Sequence, residues 1–270
     1  MITLSSDFGA PYPAAMKGVI LQRVDTRLVD VSHEFPRQDV RAAAFWLREV
    51  LPWFPPAVHL VVVDPGVGTD RRALVVRAGD HALVGPDNGV LLPAARRLAT
   101  ASEAVNDRGG GDGGSGTNGE VEVFDYAYGD PASRTFHGRD VFAPAAAAVH
   151  EIGVDDLGAA DRLTPTDDYE AVSFPDPSLD ETGADGEILV VDDFGNAVTN
   201  VPGEALADHV GDRVEVNGVD APIVRAYAEC EAGERLVTVG SHGNVEFAVN
   251  RGRGDEAFGL APGQSVRLSW

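Results

Sequence analysis

The sequence predicts two domains: an N-terminal α/β domain built on a central, mostly parallel sheet, and a C-terminal antiparallel β-barrel. Three observations lead there. Through residues 1–100, short apolar runs alternate with helix-patterned segments, the mark of parallel β-α-β units. A stretch rich in Pro, Asp, Thr and Ser over 163–185 reads as a linker. From Gly186 onward the pattern changes to short β-rich runs with Gly-containing turns. The expected divisions are 1–165, a linker at 166–185, and 186–270.

Taken in order, Ile2-Thr3-Leu4-Ser5-Ser6 is the first strand candidate and Ala14–Arg23 a helix. Ala42–Leu51 is a second helix, and Val58–Val63 is a strand that runs directly into Asp64. Open α/β sheets bind ligands outside the carboxyl ends of their strands. Asp7 and Asp64 each follow an apolar run, so both are expected on that rim. Gly109 to Gly119 is almost wholly Gly, Asp, Ser, Thr and Asn and reads as a flexible loop. Its Gly111-x-Gly113-x-x-Gly116 spells a dinucleotide fingerprint, but no strand precedes it and no helix follows, and phosphate cradling requires both. Ala143–His150 is an alanine-rich helix candidate. The β-rich runs beyond are Glu187–Val191, Arg213–Asn217, Leu236–Val239, Val245–Val249 and Ser265–Trp270, with turns at Asn217-Gly218 and His242-Gly243-Asn244.

Composition narrows the function classes. The chain of 270 residues has 44% hydrophobic residues, ample for a core, and a net charge of −22 that argues against phosphate-backbone contacts and a nucleic-acid partner. Lys17 is the only lysine among 21 cationic residues. An acidic, lysine-poor surface suits molar salt, where charge repulsion is screened within about 3 Å; a GC-rich genome that favours Arg and Asp codons is the alternative. A single cysteine, Cys230, forms no internal disulfide and points to a reducing, cytoplasmic setting. No apolar run approaches the roughly 20 residues of a membrane span, and the first strand begins too early for a signal peptide.

Several familiar motifs fail on context. Asp7-Phe8-Gly9 and Asp193-Phe194-Gly195 both spell the kinase metal-binding triplet without its companions. There is no Gly-x-x-x-x-Gly-Lys-Ser/Thr and no His-Glu-x-x-His, and His33, His59, His81, His150, His209 and His242 are scattered without ligand spacing, so no metal is expected. The informative stretch is Val62-Val63-Asp64-Pro65-Gly66-Val67-Gly68-Thr69-Asp70-Arg71-Arg72, where a strand ends in a carboxylate and a turn brings arginines back within reach. By itself it also fits a capped turn with solvated arginines. Thr135-Phe136-His137-Gly138-Arg139-Asp140 adds a histidine just before a helix, a place where a structural histidine is common.

Taken together with Ser5-Ser6-Asp7-Phe8-Gly9, Met16-Lys17-Gly18, Gly85-Pro86-Asp87-Asn88-Gly89, Phe194 to Asn200 and Ser241 to Asn250, these segments resemble the S-adenosylmethionine hydroxide adenosyltransferase family, which is related to the fluorinating and chlorinating enzymes. The resemblance implies a seven-stranded α/β domain, a C-terminal β-barrel, and a homotrimer with sites between subunits. It implies attack of water, as hydroxide, on C5′ of S-adenosylmethionine, which is a substrate, so no cofactor is expected. The family's Asp–Arg–His triad maps onto Asp64, Arg71 and His137, with Arg72 adjacent and the spacing favouring Arg71. Asp7 matches the carboxylate that takes both ribose hydroxyls, Phe194 and Asn196 match groups at the adenine, and Asp192 belongs to the same substrate-binding set. Ser241 and Glu246 match groups near the methionine or the base, with Val249 contributing backbone.

The residue types suit the chemistry. A sulfonium leaves without protonation, so the enzyme must orient and activate a weak nucleophile in line with the C5′–S bond. Either Asp64 or His137 takes the proton in this reading, and Arg71 keeps Asp64 ionised. Two departures from the family pattern stand out: Ala10 replaces an acidic residue before Pro11-Tyr12, and the Gly-rich insert is additional. A halogenase using chloride is the alternative enzyme, although a carboxylate beside the halide would repel it. A sensor that keeps the pocket without turnover is the non-enzymatic alternative, and loss of the triad would be its sign.

Overall fold

The computed structural model describes residues 1–108 and 121–270, in two compact units, Met1–Val172 and Ser173–Trp270. The Gly-rich stretch read as a flexible loop lies outside the described residues. Among the described residues no helix is long and apolar enough to cross a membrane.

In the first unit the chain order is β1 (Ile2–Ser6), α1 (Tyr12–Leu21), β2 (Leu28–Ser32), α2 (Val40–Val50), β3 (Val58–Val62), β4 (Ala73–Ala78), β5 (His81–Pro86), α3 (Leu92–Arg108), β6 (Glu122–Tyr126), α4 (Ala143–Ile152) and β7 (Leu163–Pro165). Seven strands form one mixed sheet in the order β2-β1-β3-β5-β4-β6-β7. The first four of that order are parallel neighbours, and β4, β6 and β7 join antiparallel. Ala78 pairs with His81 across a two-residue turn containing Gly79 at φ +56°, a connection too short for a parallel crossover. Strand order departs in opposite directions from β1 and β3, so the topological switch point, where open α/β sheets place their ligand crevice, lies at their carboxyl ends. Asp7 follows β1 and Asp64 follows β3 at that switch point.

The two faces of the sheet follow from strand alternation. Ile2, Leu4, Leu60, Val62, Val75 and Val84 pack with Met16 and Ile20 of α1 and Ala143, Ala146 and Val149 of α4. The alternate residues Leu74, Val76 and Leu83 are equally buried outside that cluster, and α3 packs against β4, β5 and α2. Helix starts are chemically marked: Asp39 accepts from Ala42 N–H at 2.9 Å to cap α2, and α1 and α4 carry Pro13 and Pro144 in their first turns. Gly153, at φ +86°, ends α4.

The second unit contains β8 (Ser178–Asp180), β9 (Gly183–Val191), β10 (Ala197–Pro202), β11 (Arg213–Val216), β12 (Val219–Pro222), β13 (Arg235–Val239), β14 (Asn244–Val249), the short α5 (Gly254–Phe258) and β15 (Ser265–Ser269). Every ladder is antiparallel, in the order β12-β11-β15-β9-β10-β14-β13, with β8 on β9. An isolated bridge between Ile223 and Val237 brings the end of β12 onto β13 and nearly closes the barrel. Its core holds Ile188, Val201, Val214, Val237, Phe247 and Leu268. Asn217 and Gly218, at φ +48° and +85°, make the two-residue hairpin turn that their sequence signals. β8 and the start of β9 fall within 166–185, the stretch read as a linker.

One buried polar chain crosses the first sheet at the opposite end from the crevice. His59 Nδ1 lies 2.8 Å from Thr3 Oγ1 and its Nε2 lies 2.9 Å from His81 Nδ1, with the two rings stacked. Burial, and then the neighbouring His81, pushes the pKa of His59 from 6.5 down to about 3. The unfolded chain therefore takes up a proton below pH 6.5 that the folded chain refuses until about 3, so stability falls as pH drops through that window. Denaturant titrations at pH 7 and 4.5 are expected to show a larger loss for the wild type than for His59→Gln; equal losses would contradict this account.

Candidate active site

β3 is buried along its whole length, and the carboxylate of Asp64 that follows it is buried at the switch point. Asp64 Oδ1 accepts from Gly66 N–H at 2.9 Å, which tightens the turn after the strand. Thr69 closes the same turn, donating from backbone and side chain to the Gly66 carbonyl. The chain then doubles back, and Arg71 Nε comes to 3.1 Å from Asp64 Oδ1 while its Nη1 donates to the Asp87 carbonyl at 2.6 Å. A Cβ on Gly66 would lie 2.5–2.9 Å from the Arg71 guanidinium, so a side chain there would push the guanidinium away from Asp64. Arg72 takes the other direction, as successive residues of an extended chain do. It pairs with Asp87 through Nε at 3.0 Å and Nη2 at 2.7 Å, and lies near Asp125 and Asp168. The two adjacent arginines are thereby separated into one facing Asp64 and one bracing the Gly85–Gly89 segment. That segment is tied back to the β3 end by Asn88 Nδ2, which donates to the Val63 carbonyl at 2.9 Å.

His137 reaches the same place from a wide helical turn, Gly138–Phe142, that leads into α4. Gly138 lets this turn sit tightly: a Cβ there would be 2.8 Å from Met16 Sδ and 3.3 Å from Val62. His137 is buried, with Nδ1 3.9 Å from Asp64 Oδ2. That oxygen is itself buried and accepts no hydrogen bond from the protein. Burial raises the Asp64 carboxyl above the usual carboxylate range, against the lowering effects of Gly66 N–H, Arg71 and His137, and nearby Asp7 pushes it further up. Asp7 accepts from Gln38 N–H at 2.6 Å, and Phe8, Tyr12 and Phe136 pack edge to face beside it at 5.4–6.1 Å.

In the second unit, the loop between β9 and β10 is organised by Asp192. Its Oδ1 accepts from Phe194 N–H at 2.9 Å and Asn196 N–H at 2.8 Å, and its Oδ2 accepts from Asn196 Nδ2 at 2.9 Å. Phe194 stands outward, 79% exposed, on this hydrogen-bonded loop. Glu246 lies on β14, buried, where Tyr227 donates to its Oε2 at 2.8 Å and His242 Nε2 stands 3.5 Å from its Oε1. Gly240 makes room for that carboxyl, since a Cβ there would fall 2.3 Å from Oε1. Burial raises the Glu246 carboxyl, with Tyr227 and His242 opposing and Asp192 adding. Burial and the Glu246 contact together push the Tyr227 hydroxyl well above its ordinary value. Ser241 is exposed on the β13–β14 turn and Val249 ends β14.

The sequence-derived set thus falls into two groups. Asp64, Arg71 and His137 converge within the first unit, with Asp7 close enough to influence Asp64. Asp192 and Asn196 share one hydrogen-bonded loop with Phe194, and Glu246 stands near Asp192. Sequence reasoning missed Tyr227 and gave His242 no role. Tyr227 is 19 residues from its partner with no local pattern to mark it, whereas the i, i+4 spacing of His242 and Glu246 was visible but carries no meaning outside a helix. Among the described residues, no group of three or more His, Cys, Asp or Glu is arranged to hold a metal ion.

Comparison with known proteins matches both units. The model of the SAM hydroxide adenosyltransferase N-terminal domain matches residues 2–158, and that of the C-terminal domain matches 186–267. A Thermus thermophilus protein named (R)-S-adenosyl-L-methionine hydrolase is 42% identical over 272 residues, covering 97% of each chain. A Salinispora tropica protein of the same name is 38% identical over 99% of this chain and 97% of its own. Among solved structures, an uncharacterized conserved protein from Thermotoga maritima superposes with a TM-score of 0.79 at 30% identity, covering all of both chains.

The Tyr227–Glu246 bond has a measurable worth. Tyr227→Phe leaves a buried carboxyl oxygen without its donor, a cost of about 1–3 kcal/mol. Because that bond favours the charged carboxylate, the deficit in urea melts is expected to be largest near pH 7 and to shrink towards pH 4. A deficit independent of pH would show that the bond does not act on the carboxylate.

Proposed function

The chain belongs to the SAM hydroxide adenosyltransferase family, and from that premise we infer that it is an S-adenosyl-L-methionine hydrolase. Water, as hydroxide, attacks C5′, the C5′–S bond breaks with its electron pair passing to sulfur, and adenosine and L-methionine leave with one proton.

We assign the nucleophile's site to Asp64, Arg71 and His137. The observation that carries the assignment is the buried Asp64 Oδ2, without a protein donor and 3.9 Å from His137 Nδ1. One oxygen atom between them is within hydrogen-bond reach of both, which orients its lone pair toward the substrate. A carboxyl held above its usual range is the better proton acceptor, so the proton passes to the Asp64–His137 pair. Arg71 balances the Asp64 charge and keeps it from protonating before turnover. Asp7 takes the ribose hydroxyls, for which its two acceptor oxygens on one group are suited. Phe194 and Asn196 serve the adenine, with Asp192 in the same substrate-binding set through the loop it holds, and Ser241, Glu246 and Val249 line the remaining substrate contacts. No cofactor enters this scheme.

Chloride as nucleophile is not favoured: the relatives are named hydrolases, and a buried carboxylate repels a halide. We further propose a homotrimer with sites between subunits, supported by the family resemblance and by Phe194 and Tyr12, two aromatics left 79% and 54% exposed. A reducing cytoplasm suits the single, free Cys230.

Pure protein incubated with S-adenosylmethionine in molar KCl is expected to release adenosine and methionine; 5′-chloro-5′-deoxyadenosine would overturn the hydrolase reading. Arg71→Ala and His137→Ala are each expected to lower turnover about 100-fold or more while leaving the fold intact by circular dichroism, and wild-type rates would refute the assignment. The acid limb of kcat/KM should lie above the ordinary carboxylate value of 3.8, and the residual activity of Arg71→Ala should show it shifted to still higher pH. Light scattering in solution tests the trimer, with a mass near three times 28.4 kDa expected.

A further inference from the structure

A side-chain chain runs from the surface of the first unit to the buried end of β1. Lys17 Nζ, on α1, lies 2.5 Å from Asp30 Oδ2 on β2, and Asp30 Oδ1 lies 2.9 Å from His33 Nε2. His33 Nδ1 in turn lies 2.7 Å from Ser6 Oγ, and Ser6 is wholly buried. Ser6 immediately precedes Asp7, and the His33 carbonyl accepts from Gly9 N–H at 2.9 Å, two residues after it. His33 therefore grips the Asp7 loop on both sides. Gln38, from the same segment and at φ +61°, donates its N–H directly to Asp7 Oδ2 at 2.6 Å. Burial raises the Asp30 carboxyl, but Lys17 and His33 outweigh it and hold it below its usual range.

Stability is a weak reason for this arrangement. The Lys17 and Asp30 side chains are 33% and 43% exposed, and exposed pairs of that kind contribute about 0–1 kcal/mol. The choice of lysine is more telling in a chain whose other cationic residues are all arginine. An arginine fork matches both oxygens of a carboxylate, whereas an ammonium is a point charge that takes one. Here Oδ2 goes to Lys17 and Oδ1 is left for the His33 ring.

We propose that His33 is a positioning residue for Asp7, its ring fixed by the Lys17–Asp30 pair and its two links to Ser6 and Gly9 setting the angle at which Asp7 meets the ribose hydroxyls. The inference rests on the reading of Asp7 as the ribose acceptor. Such an effect acts through orientation, so it is confined to ligands that carry the hydroxyls.

Calorimetric titration of the full chain with adenosine and with 2′,3′-dideoxyadenosine separates the possibilities. His33→Ala is expected to weaken adenosine roughly tenfold, a coupling typical of contacting residues, and to leave dideoxyadenosine unchanged. Asp7→Asn should remove the same preference, and the double variant should be no worse than Asp7→Asn alone. In turnover, His33→Ala should raise KM more than it lowers kcat. Should His33→Ala fail to fold, Lys17→Gln at the surface end is expected to move the adenosine preference in the same direction by a smaller factor. Equal weakening of both nucleosides, or of neither, in a folded variant overturns the positioning role. If Asp7→Asn itself leaves the preference intact, the ribose reading falls, and the role of His33 with it.

Discussion

The burial of one carboxylate at the end of a parallel strand organises the first unit. Asp64 is placed by β3, whose apolar run ends where the strand order reverses, and leaving water costs a carboxylate dearly unless partners surround it. The partners explain the local sequence. Gly66 supplies an N–H and the space for a guanidinium, the turn returns Arg71, and the tight seat of Gly138 against α1 and β3 delivers His137. The partners leave one oxygen, Oδ2, buried without a protein donor, and the proposed nucleophile site rests on that feature.

The second unit solves a different problem with similar means. Asp192 spends both oxygens on its own loop, which rigidifies Phe194 and Asn196, and Gly240 yields the room for a buried Glu246. The same unit thus carries an exposed aromatic on a hydrogen-bonded loop and a buried acid held by a tyrosine donor.

Much of the fold was legible from periodicity, and the exceptions have physical causes. Val58–Val63, Ala143–His150 and the runs at Arg213, Leu236, Val245 and Ser265 lie on observed elements because their apolar spacing matches one element type. β2, β4, β5, β6, β10, β12, α3 and α5 passed unassigned, although β4 and β5 are nearly as buried as β3; short apolar runs do not declare their partners. The antiparallel half of the first sheet follows from the Gly79–Asp80 turn, and the strands within 166–185 form because β9 is there to pair with β8. Composition alone made that stretch look like a connection.

For the site, the amino-acid sequence by itself determined the inventory: a carboxylate after a strand, an arginine seven residues on, a histidine before a helix, and the order of motifs that marks the family. Tertiary structure decided the pairings. Arg71 rather than Arg72 faces Asp64, because extended residues alternate sides and Asp87 waits on the other. Tyr227 meets Glu246, and Lys17 reaches Ser6 through Asp30 and His33, across separations that no local pattern encodes. Side-chain identity is written residue by residue, but distance and direction arise only when distant segments pack.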